Sequence, residues 1–183
     1  IPGAPLVIRP ITVCTECVIA GLSGTYTIGG TAGPNNFATL DSAVSVLNSC
    51  GIIAPVVFNL QGGSHNAITI NNVNGASDVN TITFNGSANM GDSIIATGLP
   101  AAIDLDGAGH IIFNDIYVQN SLGNYVVWLH NSAEDITIAG CELVGSRTTT
   151  STSTAVIAAS TSSTTPNGYG DNVNRLTVSD CKI

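Results

Sequence analysis

Three segments of the chain share one pattern of apolar and turn-forming residues. They span residues 110–118, 135–143 and 175–183. In each, two apolar residues one position apart are followed by two turn-forming residues and then by two more apolar residues one position apart. In this alignment Phe113, Ile138 and Val178 are equivalent, and the first two lie 25 residues apart, a spacing typical of solenoid repeats. One such unit is too small to bury its own apolar face, so it must stack on copies of itself. The repeat predicts an all-β fold, a right-handed parallel β-helix (solenoid).

The rest of the chain after Gly63 also reads as short strands separated by corners. Strands this short suit a β-sandwich or barrel as well, but the in-register repeat of apolar residues favours the β-helix. The residues expected to form one continuous core are Val56, Phe58, Ile68, Ile70, Ile82, Phe84, Ile103, Leu105, Leu129, Ile138 and Val178.

One segment has helical rather than strand periodicity. Apolar residues recur at three and four positions from Phe37 to Leu47, Thr39 is placed to cap the start, and Gly51 to end it. We therefore expect a short helix over Phe37–Cys50 that caps the N-terminal end of the β-helix. The domain boundaries that follow are a leader or linker over residues 1–24 and a β-helix domain over residues 25–183, truncated at its C-terminal end because Ile183 falls inside a repeat.

Composition excludes several classes of function. Only 9 % of residues are charged, against about 25 % in an average globular protein. A net charge of −8 leaves no basic patch that could neutralise nucleic-acid phosphates or attract an anionic membrane. No apolar run approaches the 18 or so residues of a membrane span, so membrane insertion is not expected.

The five cysteines fall into two groups. Cys14 and Cys17 have the spacing of half a zinc or redox site, but no second pair completes it, so a disulfide involving Cys14, Cys17 or Cys50 is favoured. Cys141 and Cys181 occupy the same inward position of the repeat and are expected to be buried thiols.

A small set of polar residues forms the candidate binding site. The alternation in residues 101–107 points Ile103 and Leu105 inward and Asp104 and Asp106 outward. Counting back from the aligned repeats places Trp128 over Asp104 and His130 over Asp106, at a strand spacing of about 4.8 Å. These side chains, two carboxylates, an imidazole and an indole, could bind a glycan or bind calcium weakly. They could also supply the acid and base of sugar hydrolysis or of a lyase reaction. The plainest interpretation is an ordinary polar face in which His130 pairs with Asp106.

A family resemblance comes from residues 23–85. The runs 23–30 (SGTYTIGG), 36–44 (NFATLDSAV), 47–52 (LNSCGI), 55–60 (PVVFNL) and 75–84 (GASDVNTITF) resemble secreted parallel β-helix surface proteins of Bacteroidota. The resemblance implies an adhesin-like protein, extracellular or on the cell surface, exported by the type IX secretion system as part of a longer chain.

The function expected from these observations is a non-catalytic structural or adhesive module that contacts glycans or other surface and secretion proteins. The alternative is a carbohydrate-active enzyme, a polysaccharide lyase or glycoside hydrolase, that uses the face of Asp104, Asp106 and His130. Ice binding by outward threonines such as Thr83 and Thr137 ranks third because they do not form a regular ladder in the sequence. No catalytic residue, cofactor or metal is assigned.

Overall fold

The computed structural model describes residues 21–146, 152–166 and 173–183. These residues are mostly β-strand, arranged in parallel sheets, with a single α-helix among them. In chain order the elements are β1 (Leu22–Ile28), β2 (Asn36–Phe37), α1 (Leu40–Cys50), β3 (Ile52–Leu60), β4 (Ser64–Asn66), β5 (Ile68–Asn71), β6 (Ile82–Asn85), β7 (Ser93–Ala96), β8 (Ile103–Asp106), β9 (Gly109–Asn114), β10 (Tyr117–Asn120), β11 (Tyr125–His130), β12 (Glu134–Ala139), β13 (Glu142–Val144), β14 (Ala155–Ala159) and β15 (Asn174–Ser179).

The strands form three sheets. Sheet 1 has the order β15-β12-β9-β6-β3-β1-β2, sheet 2 the order β13-β10-β7-β4, and sheet 3 the order β14-β11-β8-β5. From β3 onward, neighbours in every sheet are three strands apart in the chain, and these neighbours pair in parallel. No helix in the described ranges is both long and apolar enough to cross a membrane.

The strand register agrees with the repeat read from the sequence. Ile138 pairs with Phe113 on one side and with Val178 on the other. The predicted strands of the repeat are confirmed as parts of β9, β12 and β15. The alignment succeeds because a slip of one residue would turn every apolar side chain to the opposite face.

The core lies between the sheets and contains a column of aromatic rings. Phe58, Phe84 and Phe113 are fully buried, and their successive ring centroids are 5.0 and 5.2 Å apart. Stacked aromatic pairs at this distance add about 0.5–1.5 kcal/mol beyond the burial of their area. Every predicted core residue is buried except Val178, which is 40 % exposed. Among the described residues β15 is an edge strand of sheet 1, so no neighbouring strand covers Val178 on its outer side.

The helix begins later than the sequence predicts. It starts at Leu40, because Phe37 lies in β2 and packs its ring 5.4 Å from Tyr26. The predicted caps are correct: the Thr39 side chain accepts a hydrogen bond from the backbone N–H of Ser42, and the helix ends at Gly51. Gly51 has a φ of 66°, and a Cβ there would lie 2.3 Å from a backbone oxygen of Asn74. A side chain is therefore excluded at this corner.

Two further boundaries differ from the prediction. β1 begins at Leu22, inside the segment expected to be a leader. β4 was not predicted, and it contains His65. Its three residues are mostly polar and follow two glycines, so they carry little strand signal.

Candidate functional site

The predicted polar residues meet on the outer face of sheet 3. Asp104 and Asp106 come from β8, Trp128 and His130 from the adjacent β11. Trp128 pairs with Asp104 and His130 pairs with Asp106 in the backbone register, as the repeat alignment predicts. We call these four residues the sheet 3 cluster.

The side chains of the cluster do not follow the backbone pairing. The imidazole of His130 reaches diagonally, so that its Nε2 lies 2.8 Å from Oδ1 of Asp104, while its Nδ1 lies 3.7 Å from Oδ1 of Asp106. Asp104 also accepts a hydrogen bond from the hydroxyl of Thr69 at 3.3 Å. Asn131 donates a hydrogen bond to Asp106. His130 thus contacts Asp106, as expected, but Asp104 is its closer partner.

Trp128 is not a free platform for a sugar ring. One face of its indole stacks on the imidazole of His130 at 3.8 Å between ring centroids, and its Nε1 donates to the backbone oxygen of Ser160 at 2.7 Å. The hydroxyl of Tyr125 donates to the backbone oxygen of Ser162 at 2.9 Å. The segment after β14 thus folds back over this part of sheet 3, and Trp128 packs with Tyr125, Ala101 and Ala158 in a small second apolar cluster.

The polar part of the cluster remains accessible from outside. The side chains of His130, Asp104 and Asp106 are 12, 23 and 40 % exposed. Asp104 also borders a cavity of about 130 Å³ between Thr69 and Pro100. Enclosed ligand pockets typically measure about 300–1,000 Å³, so this surface suits an edge contact better than an enclosed substrate.

Within the part of the chain that the structure describes, no Lys or Arg side chain contacts the sheet 3 cluster. Of the chain's four Lys and Arg residues, Arg175 pairs with Glu134 and Asp135, and Lys182 pairs with Glu142. Arg9 and Arg147 lie outside the described residues. Acid, base and orienting groups are present, whereas the described part of the chain places no positive charge here for a uronate substrate.

A second pair of titratable residues, which no sequence motif connects, is buried between β4 and the start of β7. The side chain of Asp92 is 2 % exposed and accepts hydrogen bonds from the backbone N–H groups of Gly63 and Ser87 at 3.0 and 2.9 Å. Burial acts to raise the pKa of Asp92, but hydrogen bonding to the Ser87 side chain and to these two N–H groups, together with the charge interaction with His65, holds the pKa below its ordinary value. Nε2 of His65 lies 3.9 Å from Asp92, buried and without a hydrogen-bond partner, and burial lowers the pKa of His65 despite the nearby carboxylates. Through its hydrogen bonds with Gly63 and Ser87, Asp92 connects the corner before β4 with the segment before β7, which is a structural role.

The cysteines separate as the sequence suggests. Cys50 is disulfide-bonded, and Cys14 and Cys17 lie outside the described residues. Cys141 and Cys181 are free thiols; Cys141 is buried and Cys181 partly buried. Burial raises the pKa of Cys141 to about 11, so this thiol is protonated and inert at neutral pH.

Comparison of the chain with protein-family models found no match, and neither did comparison with curated proteins or with solved structures.

Proposed function

We propose that the chain is a right-handed parallel β-helix whose three sheets are the three faces of a coil. The support is the strand order: each successive set of three strands contributes one strand to each sheet, always parallel to the previous set. Repetition of this unit buries one continuous apolar column, the physical reason for stacked repeats. The short helix α1 packs against β5 and β1, near the N-terminal end of the stack.

On this scaffold we infer a non-catalytic structural or adhesive role. The observation that carries this proposal is the internal pairing of the sheet 3 cluster, in which His130 hydrogen-bonds Asp104 and Trp128 is engaged by Ser160. Nε2 of His130 and Nε1 of Trp128 are engaged within the protein, whereas the exposed oxygens of Asp106 and Asp104 can still accept hydrogen bonds from sugar hydroxyls. Contacts of this kind are weak individually and gain strength through repetition.

We further propose an extracellular or cell-surface location. The disulfide at Cys50 supports an oxidising compartment, since disulfides are rare in reducing ones. The resemblance of residues 23–85 to secreted β-helix proteins of Bacteroidota points the same way, and would make the type IX secretion system the export route.

The test is binding to an array of immobilised neutral and acidic glycans, with the protein presented as a monomer and as a streptavidin-linked tetramer. We expect the tetramer to bind glycans on the array and Asp106→Asn to weaken that binding. Asp180→Asn is the matched control, because Asp180 is an exposed acid on a corner of the last repeat. Absence of tetramer binding, or equal loss in both variants, would contradict the adhesive role of this face.

The alternative function is glycoside hydrolysis or a lyase reaction. It is favoured by one contact, the 2.8 Å hydrogen bond that His130 donates to Asp104, which would orient the imidazole as a base. We expect no turnover of common polysaccharides. Turnover that disappears in Asp106→Ala would replace the adhesive proposal with the enzymatic one.

A further inference from the structure

Three potential metal ligands converge at a corner of sheet 1, and none of them belongs to the sheet 3 cluster. They are Asp78, from the loop before β6, His110 at the start of β9, and Asp135 at the start of β12. One ligand atom from each lies within 4.8 Å of the other two. The sequence offers no sign of this group, because the three residues are spread over 58 positions and meet only through the strand register.

The separations between the ligand atoms match a tetrahedral metal site. Nδ1 of His110 lies 3.3 Å from Oδ1 of Asp78 and 3.4 Å from Oδ2 of Asp135. Zinc is bound at about 2.0–2.2 Å by imidazole nitrogen and carboxylate oxygen, so two ligands of a tetrahedron stand about 3.3–3.5 Å apart. Two of the three edges already have this length. The third distance, between the carboxylate oxygens of Asp78 and Asp135, is at most 4.8 Å. The Asp78 side chain is 88 % exposed, so it has room to move and shorten this distance.

The local charge also favours a divalent cation. Nδ1 of His110 can carry at most one hydrogen, so it can donate to only one of the two carboxylates that face it. Glu134 adds a third carboxylate, and the guanidinium of Arg175 contacts both Glu134 and Asp135. With a neutral imidazole, three carboxylates against one guanidinium leave two negative charges uncompensated within this group.

The backbone and Arg175 hold two of the ligands in place. His110 and Asp135 occupy equivalent positions on neighbouring strands, with φ of 57° and 52°. Arg175, at the same position of the next strand, donates hydrogen bonds to both oxygens of Asp135. Residues that hydrogen-bond to metal ligands commonly hold those ligands in the orientation that binding needs, and Arg175 would do so for Asp135. The positive charge of Arg175 would at the same time lower the affinity of the site for a cation.

We propose that Asp78, His110 and Asp135 form a binding site for a divalent transition-metal ion, for which Zn²⁺ is the probe. Oδ1 of Asp78, Nδ1 of His110 and Oδ2 of Asp135 supply three ligands, and water supplies the fourth. The mixed nitrogen and oxygen set suits zinc better than calcium, which takes oxygen ligands alone. The proposal is independent of the adhesive role proposed for sheet 3.

The test is titration of the full chain with Zn²⁺ by calorimetry, with Co²⁺ absorption as a second measurement of the ligand environment. The variants are Asp78→Asn, at an exposed side chain, and His110→Asn, since asparagine tolerates a positive φ. The matched control is His130→Asn, which removes an imidazole flanked by two carboxylates elsewhere.

The proposal expects one zinc per chain in the wild type and in His130→Asn, with affinity at least about tenfold lower in Asp78→Asn and His110→Asn. The Co²⁺ spectrum should change in the same two variants. Absence of stoichiometric binding in the wild type would overturn the proposal. So would unchanged affinity in both site variants, or loss of binding in the control.

Discussion

The ammonium nitrogen of Lys182 lies 2.7 Å from a carboxylate oxygen of Glu142, and the backbones of the two residues form a parallel bridge. The repeat alignment predicts this contact, because Cys141 and Cys181 share one position and the next residues must then share the outward one. Tyr117 pairs with Glu142 on the other side, as the same alignment requires. The pair identifies the register and, being exposed, contributes little to stability.

The first prediction concerns the size of that contribution. A double-mutant cycle with Glu142→Gln and Lys182→Gln should give a coupling free energy of about 0–1 kcal/mol, since the pair is screened by solvent. Urea unfolding of the four proteins measures it, and the coupling should shrink further in high salt. A coupling free energy well above this range would contradict the exposure of the pair, in which the Lys182 side chain is 75 % exposed.

The second prediction concerns the buried column. Phe113→Ala and Ile138→Ala should each lower the free energy of unfolding by about 2–5 kcal/mol, because each leaves a cavity in a packed core. Val178→Ala is the matched control: it occupies the equivalent position on β15, where the side chain is 40 % exposed, and should cost clearly less. Equal losses at Ile138 and Val178 in chemical denaturation would contradict the described edge of the core.

The third prediction concerns pH. The pKa of His65 is lowered from an ordinary 6.5 by burial, so the unfolded chain takes up this proton first as the pH falls. The contribution of His65 to stability is therefore complete above pH 6.5 and is lost progressively below it. Asp92, whose pKa is also lowered, contributes a further loss below its ordinary 3.8.

Urea unfolding at pH 7.5 and pH 5.5 measures this effect. The wild type should lose more stability between these values than His65→Gln, which has no imidazole to protonate. If the wild type instead gained stability relative to the variant on acidification, His65 would be charged in the folded protein, paired with Asp92.

The fourth prediction concerns the thiols. Because burial raises the pKa of Cys141 to about 11, Cys141 should not react with a disulfide reagent in the native protein at pH 8 and should react after unfolding. Native wild type and Cys141→Ser should therefore show the same number of reactive thiols. A native thiol that disappears in Cys141→Ser would show that this part of the core opens readily.

Strand register was predictable, and side-chain direction was not. The apolar repeat fixes which backbones pair, including Asp106 with His130. The diagonal hydrogen bond from His130 to Asp104 depends on the rotamer of the imidazole and on its stacking against Trp128, neither of which leaves a periodic signal.

The features that sequence reasoning missed depend on distant or irregular segments. Phe37 has helical spacing with Leu40, but contacts with Tyr26 and Phe58 hold it in a strand. The cover over Trp128 comes from the segment that contains Ser160 and Ser162, which has no pattern of its own beyond its serine and threonine content. The one sign of that segment in the sequence is the spacing of the repeats, which is 40 residues from Ile138 to Val178 against 25 from Phe113 to Ile138.

If successive sets of three strands stack as turns of one coil, the rings of the phenylalanine column must contact one another in chain order. The chain has four phenylalanines, so their ring protons can be assigned by NMR in a selectively labelled sample. We expect nuclear Overhauser contacts between Phe58 and Phe84 and between Phe84 and Phe113, whose ring centroids are 5.0 and 5.2 Å apart, and none between Phe58 and Phe113. A direct contact between Phe58 and Phe113, or the absence of both contacts to Phe84, would contradict the stacked arrangement.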